Sequence, residues 1–250
     1  MTWRTVLVFW LLGGVGAASA DQIELRADHW CPFNCDAGAD APGFMVEIAT
    51  EALALSGHSV NYKTLSWARS LEQVRTGRID GIIGTDEDEA PDLIRGPGIA
   101  KYREALAFRL GEAPSEISAD TIAGKRLGSI KGYEYADLIR DYIKTHSKTD
   151  GLIQELSGQN ALEQNLQKLL AGRIDFVAEE ASVLNFTLAA MGIADRLEVF
   201  LDDEETDLFV AFAPSSSSSE TYARQLAHGY SVLVQSGRVA AIRARYGLGN

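Results

Sequence analysis

Apolar and polar side chains alternate along residues 22–28 (Q-I-E-L-R-A-D), the period of a half-buried strand. From Phe44 the period lengthens. Phe44, Ile48, Ala52 and Leu55 recur at three- and four-residue spacing, which predicts an amphipathic helix that Gly57 ends. Residues 58–63 (H-S-V-N-Y-K) predict a second strand. Ser66 is placed to cap a helix over Trp67–Thr76, and a buried strand follows Gly77-Arg78-Ile79-Asp80. This β-α-β-α-β order predicts a parallel sheet covered by helices.

Residues 86–98, with two prolines and two glycines, read as a loop, and 104–109 (E-A-L-A-F-R) as a strand followed by a linker over 111–118. The grammar then repeats. A turn and strand over 124–130 lead through Lys131-Gly132-Tyr133-Glu134-Tyr135 into a helix ending near Lys144. A short strand over 152–155 and a second helix–glycine–strand unit complete the set. Residues 166–180 (L-Q-K-L-L-A-G-R-I-D-F-V-A-E-E) echo 71–85 (L-E-Q-V-R-T-G-R-I-D-G-I-I-G-T) at an offset of 172 − 77 = 95 residues. A helix over 181–191, strands over 197–200 and 207–213, a Pro-Ser loop and helices over 220–236 and 239–245 close the chain. The expected plan is two α/β lobes. The first comprises 21–109 and 208–250, and the second, 110–207, is inserted into it.

Residues 1–20 carry Arg4, an apolar run from Val6 to Val15 and Ala18-Ser19-Ala20, the pattern of an export signal cleaved after Ala20. A retained anchor is the alternative, and no stable membrane insertion of the mature chain is expected. Export gives Cys31 and Cys35 a setting in which they can bridge. Free thiols, or a metal pair helped by Asp28, His29 and Asp36, are the other readings; no metal or cofactor is expected. The formal charge of −12 excludes nucleic acid as a partner and disfavours anionic membranes. No G-x-S-x-G, H-E-x-x-H, Walker or G-x-G-x-x-G pattern points to catalysis.

The ordered set Trp30-Cys31-Pro32-Phe33, Gly43-Phe44, Trp67-Ala68-Arg69, the two G-R-I-D units and Ile130-Lys131-Gly132-Tyr133 resembles the bacterial extracellular solute-binding proteins (family 3) that serve ABC transporters of amino acids. The resemblance runs over 22–248. It implies a periplasmic-binding-protein-like type II fold, with two lobes on two hinge strands and a ligand cleft between them. It also implies a periplasmic monomer that captures a small polar or charged molecule, amino-acid-like or amine-bearing, and hands it to an ABC permease, or signals its presence to a membrane receptor or another exported protein. The ligand-binding positions it marks are Trp30, Phe33, Trp67, Arg69, Thr85, Asp86, Tyr133, Tyr135, Glu179 and Glu180. The turn Lys131-Gly132-Tyr133 is expected to open a helix whose exposed N–H groups favour an anionic ligand group. A few members of this fold are dehydratases working through carboxylates, for which Glu47 and Glu179 are the candidates. One departure stands out. Family members carry Thr-Pro-x-Arg after the first G-x-x-D strand, the arginine clamping an α-carboxylate. Here the same place reads Thr85-Asp86-Glu87-Asp88-Glu89, four acids and no arginine.

Overall fold

The computed structural model describes residues 20–249, so the expected export signal lies, but for Ala20, outside the described residues. Two five-stranded sheets organise the chain. The first contains β1 (Gln22–Ala27), β2 (Ser59–Thr64), β3 (Gly81–Thr85), β4 (Ile94–Tyr102) and β10 (Thr206–Phe212). The second contains β5 (Glu104–Arg109), β6 (Leu127–Ile130), β7 (Ile153–Leu156), β8 (Phe176–Glu180) and β9 (Leu197–Leu201). Their orders are β2-β1-β3-β10-β4 and β7-β6-β8-β5-β9. In each sheet three parallel strands come first, a fourth (β10 or β5) runs against them, and the edge strand (β4 or β9) runs with them again. The internal echo in the sequence is therefore an echo in topology: β1, β2 and β3 correspond to β6, β7 and β8.

The shared G-R-I-D residues explain why. Gly77 and Gly172 sit at φ 67° and 69°, a left-handed conformation that glycine adopts without strain and that ends α2 (Trp67–Arg75) and α5 (Ala161–Leu170). Ile79 and Ile174 are buried. Asp80 Oδ2 then accepts the backbone N–H of Glu24 at 2.7 Å, and Asp175 Oδ2 accepts that of Arg126 at 2.7 Å. Each aspartate thereby ties the start of its strand to the neighbouring parallel strand.

Helices cover both sheets. α1 (Phe44–Ala54), α7 (Ser219–Gln235) and α8 (Arg238–Arg245) pack with the first; α4 (Asp137–His146), α5 and α6 (Ala181–Met191) pack with the second. Phe44, Ile48, Ile83 and Phe212 form the first lobe's interior, and Phe108 and Phe176 stack at 5.5 Å in the second. A short helix, α3 (Ala119–Ile122), follows the expected linker and starts with a Ser118–Thr121 capping box.

Two readings of the sequence need correction. Residues 94–98, expected within a loop, begin the nine-residue strand β4. Gly96, Pro97 and Gly98 are accommodated because β4 is an edge strand and its pairing with β10 is broken by register shifts there. The chain also changes sheets earlier than expected. β5 pairs with β8 and β9, so the first crossing is at Arg103, not Arg109, and the return falls between Leu201 and Thr206. The two crossings lie side by side. Arg103 Nε donates to Asp202 O at 2.5 Å, and Asp202 N to Glu104 O at 2.8 Å.

Candidate functional site

The carboxyl ends of β1, β3 and β8 face one crevice, where ligands bind in open α/β sheets. Beyond β1 stand Asp28, His29 and Trp30; β3 ends in Thr85; β8 ends in Glu179 and Glu180. The N-terminus of α2 adds Trp67, and the turn after β6 adds Tyr133. Side-chain hydrogen bonds span the lobes among the described residues; besides Tyr102 Oη to Glu104 Oε2 (3.2 Å) at the crossing itself, three stand in or beside the crevice. Trp30 Nε1 donates to Glu179 Oε1 at 2.8 Å, Tyr133 Oη donates to Asp28, and Gln159 Nε2 donates to Thr64 Oγ1 at 3.1 Å. Trp30 also lies in an aromatic group, with ring centroids 4.6 Å from Phe33, 6.4 Å from Tyr102 and 6.5 Å from Tyr133.

Around these rings the polar lining is acidic. Glu89, from the acidic run after β3, turns inward and accepts from Trp67 Nε1 and from Thr85 Oγ1 (3.1 Å), while Asp86 Oδ1 accepts the Glu89 N–H at 2.8 Å. Glu87 and Asp88 face solvent. The run therefore serves both roles: two acids line the site and two do not. Desolvation pushes Glu89 and Glu179 up to about 8 and Asp28 up to about 6, against bonds from Trp67, Trp30 and Tyr133 that pull them down.

Two connected spaces lie here, sharing Asp28, Trp30 and Tyr133. One, about 370 Å³, is bounded also by Trp67, Asp86, Glu89 and Tyr102. The other, about 740 Å³, runs along α5 and α6 with Glu179 in its wall. Neither is lined by a lysine or arginine among the described residues; His29 is the basic side chain present.

The structure brings the expected residues Trp30, Trp67, Asp86, Tyr133 and Glu179 to these spaces, with Thr85 fully buried behind them and bonded to Glu89. Four expected residues stand elsewhere. Phe33 is core, 4.8 Å from Phe44 between ring centroids. Arg69 is exposed on α2, outside both spaces. Tyr135 is buried in the second lobe, its hydroxyl accepting the Ile130 N–H at 2.8 Å. Glu180 caps α6, its Oε2 accepting the Val183 N–H at 2.8 Å. The helix expected to open at Lys131-Gly132-Tyr133 starts later: α4 begins at Asp137, and the N–H of its cap residue Ala136 goes to Glu104 Oε2 at 2.9 Å. Conversely, the cleft role of Asp28, Glu89 and Tyr102 was not read from the sequence. A polar residue closing the alternating pattern of β1 was the available signal for Asp28.

Cys31 and Cys35 form a disulfide, and the Cys31–Pro32 peptide is cis. Trp30 and Asn34 pair within this segment. Among the described residues no group of three or more His, Cys, Asp and Glu side chains is arranged to hold a metal ion, and no helix is long and apolar enough to cross a membrane.

The chain matches no protein-family model, and no curated protein matches its sequence. Solved structures do match its fold. A histidine kinase sensor domain with similarity to periplasmic binding proteins aligns at TM-score 0.74 and 16% identity, over 90% of this chain and 95% of that one. A chain from the structural work on glutathione import via GshT and the cystine ABC importer TcyBC of Streptococcus mutans aligns at TM-score 0.76 and 16% identity, over 92% and 96%. A histidine-bound substrate-binding protein of an ABC uptake transporter from Streptococcus pneumoniae gives 0.74 and 16%, over 90% and 92%. The fold is that of the two-lobed periplasmic binding proteins.

Proposed function

We propose that this is an exported, monomeric solute-binding protein that captures a small amine-bearing molecule between its lobes and delivers it to an ABC permease from the periplasm. The observation that carries this reading is the lining of the crevice: Asp28, Glu89 and Glu179 beside Trp30, Trp67 and Tyr133, with no lysine or arginine in that lining among the described residues. Aromatic faces and carboxylates together attract a cation, and a desolvated site strengthens that attraction. An α-carboxylate would meet acidic side chains instead of a clamp. In this respect the protein is a divergent member of the amino-acid-binding group it resembles.

Two relationships favour capture by lobe closure. The paired crossings at Arg103 and Asp202 form a double hinge, and the Trp30–Glu179 and Tyr133–Asp28 bonds tie the lobes on the side where a ligand would sit. Catalysis by the two candidate carboxylates has less support. Glu47 is held by Tyr246 and Arg245 of the first lobe, whereas Glu179 is held by Trp30, so the pair occupies separate hydrogen-bond sets. A sensing role is the second reading, favoured by the kinase sensor domain of the same fold.

Differential scanning fluorimetry against a metabolite panel tests the proposal, because a ligand that binds only the folded state raises Tm. Amines should shift Tm where their carboxylate analogues do not, and Glu179→Gln should remove the shift. A panel in which only acids or neutral sugars bind would overturn the reading. Crosslinking in intact cells separates uptake from sensing by whether a permease or a kinase is captured.

A further inference from the structure

The larger of the two spaces has a character that small-amine capture leaves unused. Its outer wall is α6, a helix that is apolar on more than one side. Leu184 and Leu188 face the second lobe's interior, while Phe186 is 43% exposed and Ala190 and Met191 stand on the groove side. A helix this apolar is ordinarily covered all round. Ile130 and Leu162 form the opposite side. At one end stands Glu179, 1% exposed. Its Oε1 accepts from both Trp30 Nε1 (2.8 Å) and the Glu180 N–H (2.9 Å), but its Oε2 is buried with no hydrogen-bond partner among the described residues. A buried acceptor left unpaired is costly and uncommon.

We propose that this groove is a binding subsite, in which an ammonium donates to Glu179 Oε2 and an attached aliphatic or aromatic body of several carbons lies against Ile130, Leu162, Phe186 and Met191. The substrate class is thus an amphiphilic amine without a carboxylate, an identification that rests on the capture of amines proposed above. Three observations lead to it. The unpaired oxygen calls for a donor, the exposed apolar side of α6 calls for a cover, and the groove joins them. Asp28 and Glu163 in the same wall repel an acid. The ammonium also favours the ionised form of Glu179, whose burial otherwise keeps it protonated near neutrality.

Isothermal titration calorimetry of the mature protein with n-alkylamines from butylamine to octylamine, and with the matching alcohols and carboxylic acids, tests this. Each added methylene should tighten amine binding roughly three- to fourfold while the groove fills. Ala190→Trp, which occupies the groove from an exposed position on α6, should flatten that slope, and Phe186→Ala should reduce it. Amines that bind with no dependence on chain length would overturn the subsite while leaving amine capture standing. If no amine of any length binds, both fall. Octanol binding as tightly as octylamine would remove the ammonium from Glu179, and a diamine binding more tightly than the monoamine of equal length would show that the groove does not seat an apolar body.

Discussion

Trp30, just beyond the first strand of one lobe, donates its indole N–H to Glu179 at the end of a strand in the other, at 2.8 Å and in a setting where both side chains are buried. The bond does two things at once. It ties the lobes together, and it lowers the cost of ionising a carboxyl that burial has pushed up to about 8. Trp30→Phe keeps an aromatic ring but removes the donor, so the pKa of Glu179 should rise further. The variant should lose about 1–3 kcal/mol of stability, with the larger loss at pH 9, where Glu179 must ionise, than at pH 6. Urea unfolding at the two pH values measures this. Equal losses would show that Trp30 contributes packing alone.

The ligand-free protein should become less stable as pH rises from about 5 to 8.5. Carboxyls in an unfolded chain titrate near 4. Here Glu89 and Glu179 are raised to about 8, Glu104 and Glu180 to about 7 and Asp28 to about 6, in each case chiefly by desolvation. Between the two sets of values the folded state holds more protons than the unfolded one. Stability is therefore fully present below the unfolded pKa and lost as pH climbs through the folded ones. Asp175, held down at about 2 by Arg126, works the other way and matters only at lower pH. Thermal melts across the range should show the decline, and the double variant Glu89→Gln/Glu179→Gln should flatten it. A Tm that rises toward pH 8.5 would contradict this account.

Amine binding should respond to pH in the opposite sense. An ammonium pairs with ionised Glu179, so at pH 6 the incoming ligand must displace a proton that at pH 8.5 has largely gone. Affinity should rise over this interval, and calorimetry in buffers of different ionisation enthalpy should detect proton release at pH 6.5. Asp28, bonded to Tyr133, and Glu180, bonded to Val183, are acids that raise Glu179 further and add to the same trend. Proton uptake on binding would exclude Glu179 as the ammonium's partner.

Asp80 and Asp175 show how much of the fold the sequence carried and where it stopped. Their repetition in two G-R-I-D units marked two corresponding strands, and the shared bonds to Glu24 and Arg126 are the physical content of that repeat. Helix and strand periods located most elements within a residue or two. β4 was missed because Gly96-Pro97-Gly98 carries the composition of a turn, and only its place at a sheet edge lets it stay extended. Half of the cleft was legible for a similar reason. Trp30, Trp67 and Glu179 stand at element ends, where local pattern points. What sets Glu179 apart from Glu180, and Glu89 from Glu87, is a tryptophan partner, and Trp30 and Trp67 lie 149 and 22 residues away in sequence. Asp80→Ala or Asp175→Ala should accordingly cost about 1–3 kcal/mol in denaturant unfolding, by removing the acceptor of a strand N–H, while leaving ligand affinity in the folded protein within twofold. A large loss of affinity without loss of stability would instead place the repeated aspartates in the binding site.

The disulfide between Cys31 and Cys35 closes a short loop around the residues that follow Trp30, beside the paired backbone of Trp30 and Asn34. Restricting so short a loop in the unfolded chain is worth about 2 kcal/mol in the chain-entropy account. Its position adds a second consequence. Trp30 carries the bond to Glu179, so freeing the loop should loosen the aromatic wall of the cleft as well as lower stability. The Cys31→Ser/Cys35→Ser variant should unfold at lower urea concentration than the oxidised protein and bind amines several-fold more weakly, and reductant should move the wild-type protein to the same values. If reductant leaves both the unfolding midpoint and the affinity of the wild type unchanged, the bridge has no part in holding Trp30.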